Sequence, residues 1–547
     1  MRQGRRKKKK GRRRPSHRAS SSTPAPISLC MIVKNEERHL PGCLESVAGL
    51  VSEMILVDTG STDNTLQVAA KHHAKILQFQ WENHFSRARN YALSQASQPW
   101  ILYLDADERL HPEYHDAVRK AVRTNRADAY YLQVFSEVGN ALGGIPHVQA
   151  YPRLFRKLPG VQFEGRIHEQ ITPSLQKVKA RFGYLDVKIE HLGYNLPDTE
   201  IRKKIERNLS YLEAQIKEEP ENPYARYQYG QTVLLAGRKD EGIEQLRKVI
   251  ELCANEDPLA LAAQLIIANE FFLEAEYQSA IELIRPVVEV APRQRLGWFL
   301  LSECYANLQE YPRAIETLLM VEKHLTLSFT DLKIDKLFDK HLIYQRLGLY
   351  SFLMDDVESA VSYWVKYFMS ATRLRVTILT NFLNAVHHTP SVLPKVKPVF
   401  RNLIDRLRDF DDPPEAIHLL ASFFEEQHTL PFQIRLFQEA SRHYPDQAIY
   451  RYYLGNAFLA NEQFGQAEKE YRRALQLDSN VYEIYYNLAV TAIKQRNYED
   501  AIHWFLSIKE KFPEHREMAT RRLTALYLKT GDMESVQHLV AEIPVNR

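Results

Sequence analysis

Ile101-Leu102-Tyr103-Leu104-Asp105-Ala106-Asp107-Glu108 sets four apolar residues directly before a pair of carboxylates. A short apolar run of this kind reads as a buried strand, and residues two apart at its end can face the same way. Oxygen ligands so placed suit Mg²⁺ or Mn²⁺ already held by phosphate oxygens. Towards the N-terminus, Ile27–Val33, Met54–Val57 and Lys75–Gln80 read as three further strands. Helices are expected between them, over Glu36–Gly49, Thr62–His73 and Phe85–Ser97. Strands and helices in alternation imply a parallel α/β sheet whose ligands gather at the carboxyl ends of the strands.

A second cluster lies at such an end. In Ile55-Leu56-Val57-Asp58-Thr59-Gly60-Ser61-Thr62-Asp63-Asn64-Thr65 an apolar strand finishes in Asp58 and turns through Gly60. Ser61, Thr62 and Asp63 then stand as caps for the next helix. The start of that helix offers backbone donors to an anion, and Asp58 can accept hydrogen bonds from a base or ribose. The chain has no Gly-x-Gly-x-x-Gly, Walker loop, His-Glu-x-x-His or nucleophile elbow, so other enzyme classes lack positive support.

Four motifs follow one another over about eighty residues: Asn35-Glu36, then Val57-Asp58-Thr59-Gly60-Ser61-Thr62-Asp63, then Ala88-Arg89-Asn90, then Leu104-Asp105-Ala106-Asp107. In this order they resemble family 2 glycosyltransferases of the GT-A fold, over residues 27 to about 195. The resemblance implies donor nucleotide contacts from Asp58, Arg89 and Asn90. It also implies that Asp105 and Asp107 hold the donor diphosphate through a divalent cation (Mn or Mg), completed by the late His191. Thr59 stands where many members carry a second Asp, which leaves Asp58 alone at the nucleotide. Phe163-Glu164-Gly165-Arg166-Ile167-His168-Glu169 falls where many such enzymes carry an acidic base. Glu169 is the candidate catalytic residue, taking the acceptor's proton in an inverting transfer. Arg153 and Arg156 would approach a phosphate or form surface ion pairs.

Beyond about Pro223 the pattern becomes helical and repeats. Ala280 to Ala314, Gln433 to Ala467, Ala467 to Ala501 and Ala501 to Ser535 are each 34 residues apart. Gly230, Gly348 and Gly455 stand twelve residues before such anchors, and Pro292, Pro445 and Pro513 twelve after. This resembles the tetratricopeptide repeat, whose small residues let paired helices pack closely. Such repeats stack into a solenoid with a binding surface and no chemistry of their own. The expected fold class is therefore an α/β GT-A (nucleotide-diphospho-sugar transferase) domain followed by an all-α tetratricopeptide-repeat solenoid. The expected domains are a disordered basic tail over 1–26, the GT-A domain over 27–200, a helical linker over 201–222, and repeats over 223–547. Residues 325–410 match the repeat poorly and are expected to be irregular.

The remaining constraints come from the whole chain of 547 residues, too long for one core. Its net charge of +4 conceals eleven Lys or Arg and no acid in the first eighteen residues, leaving the rest at about −7. The tail reads as solvated, with contact to an anionic membrane face as its other use; no specific nucleic-acid recognition follows from it. No apolar segment reaches the roughly 18 residues needed to span a bilayer. Cys30, Cys43, Cys253 and Cys304, without close pairing, suggest reduced thiols and a cytoplasmic setting, peripheral at most to a membrane. The resemblance implies a bacterial glycosyltransferase using a nucleotide-sugar donor, with the repeats selecting a peptide or protein acceptor. Its alternatives are synthesis of a cell-surface polysaccharide or lipid-linked sugar, and a repeat scaffold with an inactive transferase domain. Intact Asp58, Asp105 and Asp107 argue against the scaffold.

Overall fold

The computed structural model describes residues 23–136, 147–192, 198–329, 332, 334–336 and 338–542. The basic tail expected over 1–26 therefore lies outside the described residues as far as residue 22. The described residues form two compact units, those within 1–309 and 319–338 and those within 310–318 and 339–542.

The first unit opens as β1 (Ala25–Val33), α1 (Leu40–Ser46), β2 (Val51–Asp58), α2 (Thr65–Lys71), β3 (Lys75–Gln78), α3 (Phe85–Gln95) and β4 (Trp100–Tyr103). It continues as β5 (Glu108–Leu110), α4 (His115–Thr124), β6 (Ala129–Ser136), β7 (His147–Arg156), α5 (Thr172–Lys177) and β8 (Phe182–His191). The strands join one sheet in the order β3-β2-β1-β4-β7-β6-β8-β5. The first four pair in parallel, as their order in the sequence implies. From β4 outward the sheet is mixed, because β7 runs antiparallel to both β4 and β6. Strands covered on both faces read as continuous apolar runs. Accordingly Leu29, Met31, Leu56 and Leu102 pack with α1 and α4 on one face, and Cys30, Ile55, Val57 and Ile101 pack with α3 on the other.

Two expected helices start late, for one reason. The backbone N–H groups of Glu36 and Glu37 donate to Thr65 Oγ1 (2.7 Å) and Asp63 Oδ2 (3.1 Å). Those of Thr62 and Asn64 donate to Asn35 Oδ1 (2.8 Å) and Glu37 Oε2 (2.9 Å). Asn35 N–H also donates to Ser61 Oγ at 3.0 Å. Polar side chains that bond nearby backbone in this way compete with helix. The two loops after β1 and β2 are thereby laced together, and α1 begins at Leu40 and α2 at Thr65.

Helices fill the remainder of this unit: α6 (Asp198–Glu218), α7 (Pro223–Leu235), α8 (Lys239–Leu252), α9 (Pro258–Leu273), α10 (Tyr277–Val290) and α11 (Arg295–Asn307), with α12 (Tyr311–His324) divided between the units. A short strand, β9 (Ile334–Lys336), pairs antiparallel with β7.

The second unit is built from α13 (Lys340–Leu353), α14 (Val357–Ser370), α15 (Val376–His388), α16 (Leu393–Asp405), α17 (Pro413–Glu426) and α18 (Leu430–His443). After these come α19 (Ala448–Ala460), α20 (Phe464–Leu477), α21 (Tyr482–Lys494), α22 (Tyr498–Lys511), α23 (Arg516–Thr530) and α24 (Met533–Glu542). Small residues set the helix spacing. A Cβ at Gly455 would lie 2.5 Å from the Tyr471 ring, so only glycine lets α19 meet α20 this closely. The anchors Ala280, Ala360, Ala467 and Ala501 are fully buried. Within 325–410, α13 and α14 form a regular pair closed by Gly348 on Trp364. Irregularity follows in α15 and α16, which a one-turn 3₁₀ segment at Pro390–Val392 joins.

Candidate active site

The carboxyl end of β4 delivers Asp105 into a line of alternating charges. Arg89, on α3 and only 7% exposed, donates from Nη2 to Asp105 Oδ1 at 2.6 Å and from Nε to Glu169 Oε1. One guanidinium thus joins carboxylates that lie 16 and 80 residues away in sequence. Arg153 Nη2, from β7, stands 2.5 Å from Glu108 Oε1 and 3.8 Å from Asp105 Oδ2. Glu108 Oε2 in turn accepts the Asp105 backbone N–H at 2.9 Å. The Tyr103 ring receives both guanidiniums, with Arg153 4.3 Å and Arg89 5.3 Å from its centroid, a favourable arrangement for a cation against the face of a ring. Burial alone would raise the Asp105 carboxyl, but Arg89 and Arg153 outweigh it and hold that carboxyl far below the usual range.

Asp107 and His191 form the neighbouring pair, Oδ2 and Nε2 being 3.2 Å apart. The ladder between β5 and β8, in which Glu108 stands opposite His191, brings them together. Burial works against the imidazolium, but the hydrogen bond and charge of Asp107 prevail and raise the pKa of His191. Glu36, from the loop after β1, is pushed up to about 7 by burial and by the negative charge of Asp107 and Asp105. Sequence reading grouped Asp105, Asp107 and His191 as one metal set. Among the described residues no three His, Cys, Asp or Glu side chains are grouped so as to hold a metal ion, and Asp105 is paired with the two arginines. Asp107 and His191 remain as a part-exposed oxygen–nitrogen pair.

The residues expected at the nucleotide are occupied differently. Asp58 is buried, and its carboxylate accepts backbone N–H bonds from Gly60 (3.2 Å) and Ser61 (3.0 Å), which fixes a turn that Gly60 makes at φ 104°. Asn90 does not present its amide to open space: Nδ2 donates to Phe163 O (2.9 Å) and Oδ1 accepts Phe163 N–H (2.7 Å). It pins the segment leading to Glu169. That segment is also held by Phe85 N–H on Arg166 O (2.7 Å), by Arg166 N–H on Gln215 Oε1 (3.1 Å), and by Gln170 Nε2 on the Tyr224 hydroxyl (2.7 Å). Beside Glu169, His168 takes a left-handed backbone (φ 53°), and burial lowers its pKa.

Sequence reasoning left Arg153 with two alternative uses, quoted Glu36 and Glu108 within motifs without a role for either, and did not point to Gln215 or Tyr224. Glu108 follows Asp107 directly, yet it belongs to β5 and turns into the protein, 2% exposed. An acid among three acids in four residues carries no signal for which one is buried.

Residues 28–174 match the model described as Glycosyl transferase family 2, and residues 267–323, 434–480 and 454–516 match that of the tetratricopeptide repeat. The chain carries a family 2 glycosyltransferase domain followed by tetratricopeptide repeats. It is 36% identical to a TPR repeat-containing protein of Synechococcus elongatus, over 37% of this chain and 50% of that protein. It is 30% identical to the SPbeta prophage-derived glycosyltransferase SunS of Bacillus subtilis, over 42% of this chain and 54% of SunS. The chain thus spans about half the length of these curated relatives. Among solved structures, S. aureus TarS 1-349 aligns with 55% of this chain and 90% of its own at 16% identity, with a TM-score of 0.27. Among the described residues no helix is long and apolar enough to cross a membrane.

Proposed function

We propose that this protein moves a sugar from a nucleotide-sugar donor to a peptide or protein acceptor chosen by its repeats, with inversion at the anomeric carbon. The observation that carries the reading is the single guanidinium of Arg89, which ties Glu169 to Asp105 inside the matched domain. In this scheme Glu169 takes the acceptor's proton as the nucleophile attacks. Arg89 orients that carboxylate, and Asn90 and Gln170 fix the segment bearing it. Asp58 fixes the turn after β2, and that turn stands beside the nucleotide.

Asp107 and His191 suit a divalent cation through their oxygen and imidazole nitrogen, and the surplus of carboxylates around Glu36 favours positive charge there. A bound Mn²⁺ or Mg²⁺ supplies charge to balance the departing diphosphate. The tetratricopeptide repeats support a polypeptide as acceptor.

The test is release of nucleoside diphosphate by the full chain from a panel of nucleotide sugars, with and without Mn²⁺, and with candidate polypeptides present. Asp107→Ala is expected to lose about a hundredfold or more in turnover, as removal of groups that stabilise developing charge does. Metal-independent turnover, or full activity in Asp107→Ala, overturns the assignment of the cation. Transfer to lipid-linked sugar but to no polypeptide overturns the acceptor class.

A further inference from the structure

The repeats contain a cavity of about 380 Å³ between α18, α19 and α20. Its apolar floor is Leu454 and Phe458, and Arg442, Arg451, Lys469 and Arg473 stand around it. Glu470, buried at its base, accepts from Arg451 Nη1 at 2.9 Å and Arg473 Nη1 at 2.6 Å. Arg442 pairs with Glu439 at 2.6 Å, and Lys469 makes no ion pair among the described residues. Four cations against two carboxylates leave a local charge of about +2.

The neighbouring repeats show that packing does not require this arrangement. Arg451 and Glu470 correspond, 34 residues earlier, to Ile417 and Leu436, which are both buried. At the same offset later they correspond to Tyr485 and Trp504, whose rings pack edge to face with centroids 6.0 Å apart. The same slot is thus filled by apolar side chains on either side and by an ion pair only here. Burying the Glu470 carboxylate costs desolvation that apolar packing in the same slot avoids, so stability alone does not account for it. Ser441 adds a second observation. It is 3% exposed and lines the cavity, and its hydroxyl has no hydrogen-bond partner; a buried polar group of this kind costs free energy unless something satisfies it.

We propose that this cavity is a binding site for a small organic phosphate monoester. Glu470 pre-orients two guanidiniums, each with donors to spare, in the forked form that matches phosphate oxygens. A phosphate monoester carries about −1.5 to −2 at neutral pH, which complements the local charge. The volume falls within the range of small-molecule sites, and Leu454 and Phe458 receive the organic part. Every group involved lies between residues 438 and 473, so the site stands or falls independently of the transferase reading.

Calorimetric titration of the full chain with phenyl phosphate tests it, with inorganic phosphate and benzoate as comparators. Saturable binding of phenyl phosphate is expected, tighter than that of either comparator. Lys469→Gln and Arg473→Gln, both exposed, should each weaken it about tenfold, as the loss of a hydrogen bond to a charged group does. Ser441→Ala should weaken it without lowering the melting temperature of the free chain. Arg472→Gln makes the same charge change on an adjacent residue that pairs with Glu468 at 2.8 Å instead, and should leave binding unchanged. No saturable binding of phenyl phosphate overturns the proposal, as does equal binding of inorganic phosphate or benzoate, or an Arg472→Gln loss as large as that of Arg473→Gln.

Discussion

The charged line through Arg89 and the glycine contact at Gly455 hold their surroundings by opposite means. Around Arg89, order comes from charges that must be matched, all but Asp105 of them buried: Glu169, Asp105, Arg153 and Glu108 each depend on a partner from another element. At Gly455, order comes from an absent side chain, which lets the Tyr471 ring lie against backbone. The first arrangement fixes where reactive groups point but is intolerant of single losses. The second fixes helix spacing and can be repeated along a chain.

The largest effect should come from breaking the first arrangement. Arg89→Ala strands the buried Glu169 and the half-buried Asp105 without their shared cation, and removing the partner of the buried Glu169 should cost about 3 kcal/mol. Chemical denaturation would measure this, and Arg89→Lys should recover only part of it, since lysine cannot reach both carboxylates with a planar fork. A loss below about 1 kcal/mol would show that the line is solvated rather than structural. In the second arrangement, Gly455→Ala drives a methyl group into the Tyr471 ring and should cost about 1–3 kcal/mol, as overpacking does. An unchanged melting temperature would show that the helix spacing is adjustable.

A milder test of the repeats is the cap of α7, where Asn222 Oδ1 accepts Ala225 N–H at 3.0 Å. Asn222→Ala should cost about 1 kcal/mol, readable as a small fall in the thermal midpoint. The smallest effect belongs to charges at the start of β6. Hydrogen bonds from Arg181 hold the Asp128 carboxyl below its ordinary value. Its contribution is then present above the unfolded value of about 3.9 and lost as pH falls through the lower folded value. Asp128→Asn and the parent should differ slightly in urea midpoint at pH 6, and the gap should shrink as the pH is lowered through the acid range. A gap that persists in acid would assign the difference to packing.

The two arrangements were also unequally legible. The repeats declare themselves through a fixed period, because each helix pair solves the same packing problem with the same small residues, and Gly348 and Gly455 could be picked out by position alone. The parallel half of the sheet was legible from continuous apolar runs at Ile27–Val33 and Met54–Val57. The mixed half was not, since β7 joins β4 through a reversal that no local pattern announces. At the site, residue types that suit the chemistry were visible while their partners were not. Asn90 was read as facing a nucleotide, and its amide instead matches the backbone of Phe163, 73 residues later. Nothing local in Ala88-Arg89-Asn90 specifies that partner, which the return of the chain past α3 supplies.

The cross-links between the loops after β1 and β2 bear on how such a domain can be inherited and redesigned. Asn35, Glu36 and Glu37 exchange hydrogen bonds with Ser61, Thr62, Asp63, Asn64 and Thr65, so each loop takes part of its conformation from the other. A chimera that imports one loop from a relative inherits half of a lock. The unit of exchange is the pair, and a chimera that imports both loops together is expected to keep stability that one importing either loop alone loses, as thermal unfolding would show.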